Sequence, residues 1–143
     1  MRFMIMVKAT KDTEKGVFPE NAEKLFEAMG VYHDELVKAG VLLDASGLKP
    51  SSAGWKVKYT GDKRSVIDGP FTEAKELIAG YTIIQTKTRE EALEWTKRFP
   101  KPHFDDVCEI EVRQLYELED FQTIEAAQDA IGKFREMETQ LKH

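Results

Sequence analysis

Cysteine is almost absent from this chain: Cys108 is the single one in 143 residues, which excludes an intramolecular disulfide. Long apolar runs are missing too. The opening Phe3-Met4-Ile5-Met6-Val7 stops at Lys8, far short of the roughly 20 apolar residues that span a bilayer, so membrane insertion is not expected. Nor does the chain open with a basic stretch followed by an apolar core and a small-residue cleavage site, the layout of a secretory signal. Together these absences point to a reducing cytosol. A concentrated basic face is lacking as well, because the 26 acidic and 21 basic residues, net charge -5, are interspersed. Phosphate backbones are held by clustered positive charge and counterion release, so nucleic acid is not an expected partner. The local exception, Lys56, Lys58, Lys63 and Arg64, reads as a solvated strand face. Neither a phosphate-cradling glycine loop nor a Gly-x-Ser-x-Gly elbow is present, and no cofactor is assigned.

What the chain does have is clear periodicity. Its length suits one domain, which buries roughly 70% of its unfolded surface. Arg2 to Lys8, short, apolar and bounded by charge, reads as a central strand. A polar loop runs through Gly16. Pro19 then begins a helix with Ala22, Leu25, Phe26, Met29, Tyr32, Leu36 and Val37 in one stripe, ending at Ala39-Gly40. Val41 to Leu43 predicts a brief strand, and Ser46-Gly47, Pro50-Ser51-Ser52 and Gly54 a long turn-rich connection. Trp55, Val57 and Tyr59 alternate with Lys56 and Lys58, and Gly61-Asp62 turns the chain into Ser65-Val66-Ile67, an antiparallel hairpin. Tyr81 to Thr86 is a further strand. Thr88 and Glu91 then form the capping signature of a helix carrying Ala92, Leu93, Trp95, Thr96 and Phe99, stopped by Pro100 and Pro102. Glu109 to Arg113 alternates strictly and closes the sheet. This order predicts an α+β, ferredoxin-like antiparallel sheet with helices on one face. Beyond Asp120, Ile124, Ala127, Ile131, Phe134, Met137 and Leu141 recur at helical spacing. They predict an amphipathic extension over 122–143, appended to a domain over 1–121. Its stripe is covered either by its own domain or by a second subunit.

The densest polar segment starts at the turn Asp68-Gly69-Pro70-Phe71. Gly69 supplies backbone freedom, Pro70 fixes its own φ, and Asp68 can accept nearby N–H groups. Structural capping accounts for those roles. A second reading is a site in which Asp68 acts as a catalytic carboxylate, with Glu73, Lys75 and Glu76 converging on it to bind a ligand and tune proton transfer. His33 borders the stripe of the first helix, next to Tyr32. It is either a hydrogen-bonded boundary residue or a general base, since imidazole is the side chain suited to proton exchange near neutral pH. Tyr32 and Tyr81 are candidate ligand contacts. His103 to Cys108 gathers nitrogen, oxygen and sulfur donors, but its spacing matches no zinc pattern, and no metal is assigned. Cys108 reads as a small packed residue.

Several segments together resemble the YCII-related family, in its DGPF subgroup: Phe3 to Lys8, Glu35 to Leu43, Gly47 to Pro50, Asp68 to Phe71 followed by Glu73 to Glu76, and Gly80-Tyr81. The resemblance covers residues 1 to about 121. It implies a homodimeric α+β barrel, made by packing two ferredoxin-like sheets, with pockets between sheet and helices. It also implies, for simpler members, a histidine on the first helix and an aspartate near the end of the second. Here that helix position is Met29, with His33 one turn later, and the second helix ends in Phe99-Pro100. Sigma-factor association among some relatives implies a regulatory protein partner. The residues and the resemblance together therefore support a small-molecule-binding protein, a dimer by the resemblance, with a polar pocket next to the Asp68–Phe71 turn suited to proton transfer or isomerisation, and alternatively a non-catalytic regulatory or protein-interaction module.

Overall fold

The computed structural model describes residues 1–18, 20–103, 108–122, 124 and 128–141. Four strands build the main sheet: β1 (Arg2–Lys8), β2 (Leu42–Gly47), β5 (Ile78–Gln85) and β6 (Ile110–Gln114). They lie in the order β2-β5-β1-β6, and each neighbouring pair is antiparallel. Helix α2 (Ala22–Lys38) connects β1 to β2, and α3 (Arg89–Lys97) connects β5 to β6. Each crossover skips one strand, which is the ferredoxin-like plan. Within one chain the sheet is open, with β2 and β6 as its edges, and does not close into a barrel.

Strand alternation decides which side chains meet the helices. Phe3 and Ile5 from β1 and Ile84 from β5 join Tyr32 and Leu36 from α2, Val41, and Ala92 from α3 in one buried cluster. Leu36, Ile5 and Ile84 are fully buried, and each such side chain contributes about 1.5–3 kcal/mol by leaving water. The opposite face carries Met4, Met6, Tyr81 and Ile83, all half-buried. Helix α3 starts as its sequence predicts, with the Thr88 hydroxyl accepting the Glu91 N–H at 3.1 Å. Gly40 ends α2 at φ +72, the left-handed region in which glycine is unhindered.

Three local outcomes differ from the sequence reading. Strand β2 is longer and later than Val41 to Leu43, running through Ser46-Gly47, because β5 pairs Ala45 with Thr82, Ser46 with Tyr81 and Gly47 with Gly80. A neighbouring strand thus overrides weak local preference. The loop before Gly16 contains a short helix, α1 (Lys11–Glu14), closed by a reciprocal Thr10–Thr13 cap. The hairpin, β3 (Trp55–Thr60) and β4 (Lys63–Asp68), forms a two-stranded sheet of its own. Its two-residue turn has Gly61 at φ +59, and all its strand residues are exposed.

The expected helix start at Pro19 lies outside the described residues, and α2 is described from Ala22. Helix α4 (Gln128–Leu141) follows a tight turn at Leu118–Phe121. Ile131 is buried, whereas Phe134, Met137 and Leu141 are exposed. Ala127, expected on the same stripe, lies outside the described residues. No helix among the described residues is long and apolar enough to cross a membrane.

Candidate functional site

A cavity of about 880 Å³ opens between α2 and the main sheet, under the cover of α1 and the segment that follows it. Its walls are mainly apolar: Leu25, Phe26 and Met29 come from α2, Val17 and Phe18 from the covering segment, and Phe99 from the end of α3. The Phe18 and Phe26 rings meet edge-on, with centroids 5.7 Å apart, and both are largely exposed. They form an apolar lip. Thr10, Lys11, Asp12 and Thr13 add a polar wall on the α1 side. Gly30, on the α2 side, leaves space that a side chain would fill, because nothing lies within 4 Å of a Cβ placed there.

His33 is the polar centre of the helix side. Its Nδ1 lies 2.7 Å from the Met29 carbonyl oxygen and its Nε2 lies 2.8 Å from the Thr82 hydroxyl. A carbonyl only accepts, so Nδ1 carries a proton. In the neutral ring Nε2 then accepts from the Thr82 O–H. Edge contacts with Tyr32, centroids 5.5 Å apart, and Phe99, 6.2 Å apart, fix the plane of the imidazole. Thr82 is buried on β5, and its strand position faces the helices, so a hydroxyl stands where alternation otherwise places aliphatic side chains. A second imidazole, His103, also lines the cavity and donates from Nε2 to the Lys8 carbonyl at 3.1 Å.

The residues singled out from the sequence separate into two places. His33 and Tyr81 line the cavity. Alternation turns the Tyr81 ring to the opposite sheet face, where its hydroxyl donates to Asp44 at 3.1 Å. That hydrogen bond, with the carboxylate charge, holds the phenol above its ordinary range. Tyr32 is buried beside the cavity and donates to the Trp95 carbonyl at 2.7 Å. Burial pushes this phenol up to about 12, with Arg98 acting in the lowering direction and Glu35 in the raising one.

Asp68, Glu73, Lys75 and Glu76 are exposed and lie outside the cavity wall. The expected convergence of charge does not occur, since the backbone of this segment is directed by a different set of contacts. The Gly69 N–H donates to the Gly54 carbonyl at 3.0 Å, and the Phe71 N–H to the Ser51 hydroxyl at 2.9 Å. Ser51 in turn donates through its own hydroxyl to Glu14, whose other oxygen accepts the Ser51 N–H at 3.0 Å. A Cβ on Gly69 would overlap the Ser51 carbonyl, lying 2.6 Å from its carbon. The Gly69–Pro70 peptide is cis. The turn thus closes the root of the hairpin against the connection at Ser51 and against α1.

Among the described residues no group of three His, Cys, Asp or Glu side chains is placed to hold a metal ion. Of the donor-rich segment, His103 and Cys108 are described, and 104–107 lie outside the described residues. The sequence does not single out Thr82, and it offers His103 only as part of a donor-rich segment, not as a cavity residue. Alternation along β5 puts Thr82 on the face of Ile84, which marks a core-facing hydroxyl without naming its partner His33, and nothing local ties His103 to the cavity.

Residues 1–116 match the family model of the YCII-related domain. The chain belongs to the YCII-related family. The match ends before α4. An uncharacterised protein of Rhizobium meliloti (strain 1021) is 28% identical over 78 residues, 54% of this chain. The matched segment spans 63% of that relative's length. A solved structure of 5-chloro-2-hydroxyhydroquinone dehydrochlorinase from Burkholderia phenoliruptrix AC1100, in complex with 2,5-dihydroxybenzoquinone, is 13% identical. It aligns with a TM-score of 0.42 over 82% of this chain and 95% of that one.

Proposed function

We propose that this chain is a small-molecule-binding YCII-related protein, acting as a homodimer, whose ligand occupies the cavity between α2 and the sheet and exchanges a proton with His33. The carrying observation is the placement of the His33 imidazole, bonded to Thr82, on the wall of a mainly apolar cavity of about 880 Å³. That volume falls in the usual range of about 300–1,000 Å³ for small-molecule sites. The ligand is therefore largely apolar and carries a hydrogen-bonding group that reaches Thr82 and His33. Thr82 can accept a proton from that group while passing its own hydroxyl proton to Nε2 of His33, which leaves Thr82 unchanged, His33 as the imidazolium and the ligand as its conjugate base; the reverse transfer returns the proton to the ligand. Proton transfer or isomerisation is the chemistry this supports.

Two measurements test the reading. The apolar dye 8-anilinonaphthalene-1-sulfonate should bind and raise the melting temperature, and Gly30→Leu, which fills the cavity, should weaken binding about tenfold while the fold persists. Equal binding by both proteins would rule out this cavity as the site. Solvent deuterium incorporation into a set of small enolisable carbonyl compounds, followed by NMR, should fall about 100-fold or more in His33→Gln. Unchanged incorporation would remove His33 as the base. The exposed Phe134, Met137 and Leu141 of α4 favour a second reading, a protein-interaction module. In that case deleting 122–143 abolishes partner binding and leaves the cavity's dye binding intact.

A further inference from the structure

The Asp68 to Phe71 turn lies outside the cavity, yet its hydrogen bonds lead to the cavity's cover. Helix α1 buries none of its side chains, so apolar packing does not fix it over the site. Its start is tied to the sheet by the Ala9 N–H, which donates to the Leu77 carbonyl at 2.9 Å. Its end is tied by Glu14, whose carboxylate takes both the N–H and the hydroxyl of Ser51. Glu14 itself stays out of the cavity, whereas Lys11, Asp12 and Thr13 before it and Val17 and Phe18 after it line the wall. The carboxylate thus holds the cover from behind.

Ser51 is the junction between cover and turn. Its hydroxyl accepts the Phe71 N–H at 2.9 Å, and its own hydrogen is given to Glu14. Its carbonyl oxygen occupies the space that a side chain on Gly69 would need. A glycine at 69 therefore permits the approach, and the Phe71 N–H leaves the hydroxyl free to donate towards α1. Glu14 and Ser51 are both half-buried, and hydrogen bonds to a carboxylate are about twice as strong as those between neutral groups. At the far end of the cover Phe18 meets Phe26 through rings that are both largely exposed, which is a weaker hold because little apolar area leaves water.

We propose that the Asp68 to Phe71 turn serves the cavity as a latch: through Ser51 it fixes Glu14, and Glu14 fixes α1 and the Val17 and Phe18 lip over the ligand. Ser51 and Glu14 are then positioning residues. This rests on the cavity being the ligand site and adds what keeps its cover in place. A cover in place for only a fraction of the time weakens binding by that fraction. Titration of the full chain with 8-anilinonaphthalene-1-sulfonate tests the latch. Glu14→Ala should weaken dye binding about tenfold, and Ser51→Ala, which loses the link to Phe71 but keeps its N–H on Glu14, about threefold. Glu14→Gln keeps an oxygen for the Ser51 N–H and should bind within about twofold of wild type. Equal loss in Glu14→Ala and Glu14→Gln would assign the effect to charge on an anionic dye and overturn the latch. A lower melting temperature in Glu14→Ala with the dye affinity of wild type would mark a purely structural staple and overturn it too. Where Glu14→Ala does not fold, wild-type affinity in Ser51→Ala overturns it. Those outcomes leave the cavity reading standing as long as Gly30→Leu still weakens the dye. Binding indifferent to Gly30→Leu would overturn the cavity as the site and the latch with it.

Discussion

Gly69 and Gly30 face opposite surroundings, and the difference sets what each tolerates. At Gly69 a methyl group meets the backbone of Ser51, which cannot rotate away, so Gly69→Ala should destabilise by about 2 kcal/mol or more in urea unfolding. At Gly30 the space is open and the backbone helical. Gly30→Ala should therefore stabilise by about 0.5–1 kcal/mol through helix propensity. Tyr32 gives a pH prediction. Its phenol sits at about 12 in the folded chain against 10 when unfolded. Between those values the unfolded chain releases the proton and the folded chain keeps it. The contribution is full below pH 10 and is lost as pH rises towards 12. Tyr32→Phe should show a shallower alkaline loss than wild type when unfolding is followed at pH 9 to 11. At this scale the sequence made His33 legible as a residue bordering the stripe, because three- and four-residue spacing fixes the helix face. Its partner Thr82, 49 residues away, was not legible, since only sheet packing brings β5 beneath α2.

Elements were read well where one periodicity was sustained, and poorly where pairing supplied the order. Helix α3 followed from its cap, its stripe and its terminal prolines, and Gly40 ended α2 where expected. The sequence predicts too short a β2, because Ser46 and Gly47 carry turn preferences that pairing with β5 outweighs. The hairpin and its two-residue turn were legible, but the exposure of its apolar face was not, because alternation specifies faces without specifying neighbours. The Asp68 to Phe71 turn belongs at this scale also. Its amides are tied to the hairpin root and, through Ser51, to Glu14 of α1. Ser51→Ala leaves the Phe71 N–H without that acceptor and should cost about 1–2 kcal/mol. Urea unfolding checks the loss.

For the whole molecule the contrast is between a sheet centre paired on both sides and a ribbon paired only with itself. Amides of β1 and β5 lie between neighbours in the four-stranded sheet, whereas those of β3 and β4 have only each other. Hydrogen exchange in dilute protein should be at least about 100-fold faster in the ribbon than in β1. The sequence by itself determined the α+β class, the helix stripes and the strand alternation, because these follow from local spacing and from segment order, and it determined the family through the motifs it shares with it. Only the tertiary structure decided which candidate side chains come together. It set His33 against Thr82 in a cavity and left Asp68, Glu73, Lys75 and Glu76 in solvent. The physical reason is that convergence depends on which strands pair and which helix covers them, and charges adjacent in sequence are directed by their backbone, not by one another.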